Sequence, residues 1–127
     1  MDAAEIEESL SHMRQILNSV EAVLDLPAMR LAVIDLETEA GAPDLWDDQV
    51  HAQAITSRLS LMQGEIRRVE SLRRRVDDLA VLVELAEDED DADSRAEAAR
   101  ELTSLEKLLA ELEVRTLLSG EYDMREA

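Results

Sequence analysis

The segment LAVLVELAEDEDDADSRAEAARELTSL, residues 79–105, joins two apolar stretches through an acidic turn, and it decides the fold. Six of the seven residues from Glu87 to Asp93 are acidic. Like charges this close repel one another and have no apolar surface to bury, so we expect an exposed hairpin tip. After the tip, leucines recur at spacings of three and four, on one stripe of a helix: Leu102, Leu105, Leu109 and Leu112. The segment therefore predicts two long antiparallel helices, the second capped by Asp93 or Ser94.

The stretch before the tip predicts a single helix over residues 48–86, with Asp47 as its N-cap. At 1.5 Å per residue such a helix is about 60 Å long. Gly64 lies in the middle of it and costs about 1 kcal/mol relative to alanine. It marks either a close helix crossing, which we expect, or a mild weak point of the helix. The apolar stripe of this helix comprises Val50, Ile55, Leu59, Met62, Ile66, Val69, Val76, Leu79 or Ala80, and Val83.

Two further helices precede this pair. The first is predicted over residues 3–24, with its stripe at Ile6, Leu10, Met13, Leu17, Val20 and Leu24. Asp25 is a suitable N-cap for a second helix, and Pro27 fits its first turn. The stripe of this second helix comprises Met29, Val33, Leu36 and Ala40. Gly41-Ala42-Pro43 then breaks the chain.

Trp46 follows this corner, and we expect its large ring to plug the end of a bundle. The twenty leucines, the absence of phenylalanine and the scattered β-branched residues indicate no strands. The predicted fold is all-α: an elongated three- to four-helix antiparallel bundle with a coiled-coil-like long hairpin.

Composition excludes several classes of function. The 31 acidic and 13 basic residues leave a formal net charge of -18, which disfavours general binding to DNA, RNA or anionic membranes. The absence of cysteine removes disulfides and thiolate chemistry. The chain has neither a basic signal-peptide start nor an apolar run of about 20 residues, so we expect a cytoplasmic protein without a membrane partner.

No metal, cofactor or catalytic site is expected in this chain. Asp48 and His51 have the spacing of a di-metal bundle motif, but the motif does not recur, because Ser9 stands three residues before His12. The acidic tip resembles the start of an EF-hand loop, yet it lacks the glycine and the final glutamate of that loop. No phosphate-binding loop and no set of nucleophile and base is present.

One basic cluster stands out from the acidic remainder of the sequence. Five of the thirteen positive charges fall within nine residues: Arg67, Arg68, Arg73, Arg74 and Arg75. Guanidinium groups bind phosphates bidentately, so these arginines are candidate contacts to RNA. The alternative is that they form salt bridges, either to a neighbouring helix or to Glu65, Glu70, Asp77 and Asp78.

The last residues add a further signal. Gly120 follows the last leucines, Leu117 and Leu118, and is a good helix stop, so we expect another element to follow it. Several short stretches resemble, in the same order, the N-terminal helical domain of bacterial class I peptide chain release factors of the release factor 2 branch. These stretches are DLWDD (44–48), QGEIRR (63–68), LVELA (82–86) and SGEYD (119–123).

The resemblance implies that the chain is one domain of a larger protein, with a domain over residues 1–119 and the start of a linker over residues 120–127. It also implies that the whole protein terminates translation at UGA and UAA on the ribosome. The family's Gly-Gly-Gln and Ser-Pro-Phe elements are absent from this sequence, so no catalytic or codon-reading residue can be carried over. The implied partners are the stalk base and rRNA of the large subunit, near its GTPase-associated region, and the GTPase release factor.

Two other functions are compatible with the sequence. A free-standing acidic helical adaptor would bind a protein partner through an exposed stripe, and periodicity supports it equally well. A nucleic-acid mimic would exploit the net charge of -18, although the arginine cluster argues against it.

Overall fold

The computed structural model describes residues 2–126, and the side chains of residues 2–118. It contains four α-helices: α1 (Ala3–Leu24), α2 (Leu26–Ala40), α3 (Gln49–Glu89) and α4 (Ala92–Glu126). A short 3-10 turn, Leu45–Asp47, lies between α2 and α3. No strand occurs in the described range, and the predicted all-α helical bundle is confirmed.

The chain divides into two compact units. The first unit, Met1–Val23 with Ser71–Ala127, contains α1, the second part of α3, and α4. Its core is built from the predicted stripes of all three helices. The buried members are Leu10, Met13, Leu17, Val20, Val76, Leu79, Val83, Leu102, Leu105, Leu109 and Leu112.

The second unit, Leu24–Glu70, contains α2 and the first part of α3. Its two helices run antiparallel, because Arg30 near the start of α2 pairs with Glu70, well along α3. The buried apolar residues of this unit are Leu26, Val33, Leu36, Leu45, Ala52, Ile66 and Val69.

The helix ends of α1 and α2 were predicted correctly. The carboxylate of Asp25 accepts a hydrogen bond from the backbone N–H of Ala28 at 3.3 Å, and Pro27 lies in the first turn of α2. Asp25 has a left-handed backbone, with φ of 56°. An aspartate tolerates that conformation better than most residues, which allows the chain to bend between the two helices.

The predicted caps of α3 and α4 were wrong by a few residues. Asp48, not Asp47, caps α3: its carboxylate accepts from the backbone N–H of His51 at 3.1 Å. Asp91, not Asp93 or Ser94, caps α4: one oxygen accepts from the backbone N–H of Asp93 at 3.0 Å, and the other from the hydroxyl of Ser94 at 2.9 Å. Several acids compete at each junction, and backbone geometry selects among them.

The tip of the hairpin is acidic and exposed, as predicted. Helix α3 extends three residues beyond the predicted end, to Glu89, because a helix needs no buried side chains to satisfy its backbone hydrogen bonds. Asp90 then takes a left-handed backbone, with φ of 49°, and turns the chain into α4. Glu87 to Asp90 are all exposed.

Two predictions based on glycine were wrong. A Cβ atom built on Gly64 would have no heavy atom within 4 Å, so this glycine does not serve a close helix crossing. Gly120 does not end α4, which continues to Glu126. A glycine inside a helix costs only about 1 kcal/mol, so it favours a helix end without enforcing one. The boundary between residues 1–119 and 120–127 stays a prediction.

The expected plug at the corner was also wrong. Trp46 is 59% exposed, whereas the preceding Leu45 is 5% exposed. The 3-10 turn directs neighbouring side chains to different sides, and here the leucine occupies the interior. Val50, expected on the apolar stripe, is 79% exposed, and Ala52 is the buried residue in that turn.

The cap of α4 leads to a prediction about pH. The hydroxyl of Ser94 and the N–H of Asp93 lower the pKa of Asp91 below 3.8. Because this pKa is lower in the folded state, the carboxylate stabilises the fold above pH 3.8, and the contribution is lost as pH falls through the folded-state pKa. Asp91→Ala should lower the melting temperature at neutral pH, with a deficit that shrinks in acid.

Thermal unfolding followed by circular dichroism between about pH 2 and pH 7 measures this deficit. Asp88→Ala, at an exposed position of the same tip, is the matched control and should change stability little. A deficit for Asp91→Ala that is independent of pH contradicts the assigned role.

Candidate nucleic-acid interface

The five clustered arginines all lie on α3, but they belong to different units. Arg67 and Arg68 lie in the second unit, and Arg73, Arg74 and Arg75 lie in the first.

Arg73 is held by α1 within the first unit. Its Nε and Nη2 donate to the two carboxylate oxygens of Glu21, both at 3.0 Å. Nη2 also donates to Oδ1 of Asn18 at 2.8 Å. The side chains of Arg73 and Glu21 are only 32% and 30% exposed. Three charge-assisted or polar hydrogen bonds thus fix this guanidinium against α1 and leave it poorly placed for a phosphate.

Arg75 forms an ion pair with α4, whereas Arg74 forms none with the described residues. Arg75 donates through Nε, at 3.0 Å, and through Nη2 to the same oxygen of Glu101, which joins α3 to α4. Arg74 is exposed. Within residues 2–118 it has no carboxylate oxygen within 4.0 Å.

In the second unit, Arg68 pairs with Glu65 one turn earlier, at 2.8 Å. Arg67 donates through Nε to the backbone carbonyl of Gln63 at 3.2 Å. It lines a shallow groove of about 500 Å³ between α2 and α3, together with Arg30 and Glu70. Arg30 and Glu70 pair with each other at 3.0 Å. None of the ion pairs of the described residues involves Arg67.

The salt-bridge alternative is therefore confirmed for three of the five arginines: Arg68, Arg73 and Arg75. The sequence predicted Glu65 by residue number as a possible salt-bridge partner. For Glu21 and Glu101 it predicted only that a partner could lie on a neighbouring helix. Asp77 pairs with Arg14 instead, at 3.6 Å. Periodicity predicts which side chains of a helix are buried. It does not predict which polar residues of a neighbouring helix lie next to a given arginine.

The residues weighed as metal ligands from the sequence are Asp48, His51 and His12. Asp48 is engaged as the cap of α3, and His51 is exposed. His12 is exposed beside a groove between α1 and α4 that Glu5, Glu8 and Glu106 also line. Across the described residues, no group of three or more potential metal ligands comes together. In the same range, every helix is too short or too polar to cross a bilayer.

Four helices with aliphatic cores, an acidic hairpin tip and ion pairs between the helices define an all-α helical-bundle domain. The family model described as the PCRF domain matches residues 29–127, and the chain belongs to this family. The sequence is also similar to several curated proteins named peptide chain release factor 2.

The relative from Streptomyces avermitilis is 55% identical over 127 residues, which are 100% of this chain and 34% of that protein. The relative from Kineococcus radiotolerans is 55% identical over 125 residues, 98% of this chain and 34% of that protein. The relative from Acidothermus cellulolyticus is 57% identical over 120 residues, 94% of this chain and 32% of that protein. The chain thus spans about one third of these relatives, their N-terminal third, and the resemblance stated from sequence is confirmed.

The ion pairs lead to a prediction about stability. Arg73→Ala removes three hydrogen bonds between α3 and α1, so it should lower the free energy of unfolding by about 1 kcal/mol. Arg74→Ala removes the same charge from an exposed neighbour and should change it by less than about 0.3 kcal/mol. Urea unfolding followed by far-UV circular dichroism measures both, and equal losses for the two variants contradict the role given to Arg73.

Proposed function

We propose that the chain is the N-terminal helical domain of a cytoplasmic peptide chain release factor that directs translation termination at UGA and UAA. The match to the PCRF domain over residues 29–127 carries this proposal. It is supported by relatives about 55% identical over the whole chain, each named peptide chain release factor 2.

In this proposal the domain itself is not catalytic. The sequence contains neither Gly-Gly-Gln nor Ser-Pro-Phe, the elements that the resemblance associates with hydrolysis and codon reading. The domain instead docks near the GTPase-associated region of the large ribosomal subunit and helps to position a catalytic body. Its proposed partners are the stalk base, rRNA and the GTPase release factor, with no DNA, membrane or cofactor.

The proposed RNA contacts are Arg67, in the second unit, and Arg74, in the first. Each is exposed, and the ion pairs of the described residues involve neither. A guanidinium without a carboxylate partner can bind a phosphate without first breaking an ion pair. Because the chain carries a net charge of -18, contacts to RNA elsewhere on the surface meet repulsion.

The size and location of the endogenous protein test the family-level proposal. An immunoblot of the native host with an antibody to this chain should give a band about three times the length of this chain, and the band should sediment with ribosomes. The larger protein, once purified, should release peptide from ribosomes stopped at UGA and UAA.

A band at the size of this chain overturns the proposal and favours the free-standing acidic adaptor. A larger protein that sediments with ribosomes but acts at UAG instead of UGA keeps the domain assignment and removes the codon assignment.

The proposed RNA contacts are tested in the larger protein that carries this chain. Arg67→Glu and Arg74→Glu, made singly, should each weaken binding to ribosomes and reduce the salt dependence of log K by about one. Binding is measured by co-sedimentation at several salt concentrations, because phosphate contacts are identified by their response to salt.

Lys107 is exposed and lies on α4 instead of α3. Lys107→Glu makes the same change of charge and serves as the control. If Arg67→Glu and Arg74→Glu bind ribosomes as tightly as Lys107→Glu at every salt concentration, the proposed RNA contacts are wrong. The family assignment is unaffected by that result.

A further inference from the structure

The corner between α2 and α3 presents the only tryptophan of the chain to solvent. Trp46 is 59% exposed, and Val50 at the start of α3 is 79% exposed. The two residues are four positions apart, so at most about 14 Å of chain separates them. Exposed tryptophan is uncommon, and tryptophan is the residue most enriched among the energetic anchors of protein interfaces.

The same corner is strongly acidic. The 27 residues between Arg30 and Arg58 contain no lysine or arginine and six acids: Asp35, Glu37, Glu39, Asp44, Asp47 and Asp48. Asp44 and Asp47 are exposed on either side of Trp46 in sequence. None of the ion pairs found in the described part of the chain involves them. The negative charge around the indole is thus uncompensated.

This charge decides between two classes of partner. Nucleic-acid bases can stack on an exposed tryptophan, but their phosphates would then lie close to Asp44 and Asp47 and be repelled. A protein segment with arginine or lysine avoids this conflict. Its cation can lie over the face of the indole while the two carboxylates attract it, and a neighbouring apolar residue can contact Val50.

We propose that Asp44, Trp46, Asp47 and Val50 form a docking surface, the tryptophan corner, for a basic segment of a protein partner. An arginine or lysine of that segment lies against the indole of Trp46. The surface shares no residue with the arginines proposed to contact RNA, and the proposal does not depend on the role in translation termination.

The fluorescence of Trp46 reports directly on this surface, because no other tryptophan contributes. The probe is a synthetic amphipathic peptide with leucines on one helical face and arginines on the other. Titration of this chain with the peptide should give a saturable change in Trp46 emission that weakens as salt is added. A peptide with glutamate in place of each arginine should give none.

Matched variants separate local charge from net charge. Asp44→Asn with Asp47→Asn keeps Trp46 and should weaken the apparent affinity by about fivefold or more. Glu7→Gln with Glu8→Gln removes the same two charges from exposed positions on α1 and should change the affinity by less than about twofold.

Four results would overturn the proposal. The first is equal loss of affinity in the two double variants. The second is an emission change with an RNA oligomer but not with the peptide. The third is an emission change on raising the concentration of this chain alone, which would assign the corner to self-association. The fourth is no response up to about 1 mM arginine peptide, the weak limit of specific binding.

Discussion

Burial of the apolar stripe of α3 is the constraint on which both compact units depend. The helix runs for 41 residues without a proline and supplies core residues to each unit. Ile66 and Val69 are buried in the second unit, and Val76 and Leu79 in the first. Burying a side chain of this size contributes about 1.5–3 kcal/mol, so the stripe stabilises the structure far more than any surface ion pair does. Helix α3 is therefore the element that neither unit can lose.

Charge is the second organising factor, because the chain carries 31 acidic residues and only 13 basic ones. Within the first unit, Arg73 engages α1 and Arg75 engages α4, so scarce positive charges join helices whose surfaces would otherwise repel one another. Asp91 illustrates the opposite use, since an acid near the N-terminus of a helix satisfies free N–H groups and favours the helix dipole. The sequence cluster of five arginines is thus partly structural, since Arg68, Arg73 and Arg75 form ion pairs.

Helix periodicity in the sequence predicted the fold well, since the stripes of α1 and α4 became core. Local chemistry was less predictable. At the start of α3, Asp47 and Asp48 are equally good caps by residue type, and only the backbone geometry chooses Asp48. At the corner, size favoured Trp46 for the interior, yet the turn placed Leu45 there. The partners of Arg73 and Arg75 depend on how α1 and α4 are rotated about their axes. This rotation cannot be predicted from the spacing of residues in a single sequence.

The sequence separation of the contacts within the first unit has a consequence for the order of its assembly. Arg75 and Glu101 are 26 residues apart, whereas Arg73 lies 52 residues from Glu21 and 55 from Asn18. Closing the shorter loop costs less entropy, so the hairpin of α3 and α4 can form without α1. During synthesis α1 emerges before α3 and α4, on the order of seconds earlier at about 5–20 residues per second. In that interval the apolar stripe of α1, including Leu10 and Leu17, has no helix to pack against. The glutamates of α1 then oppose aggregation, because like charges repel one another.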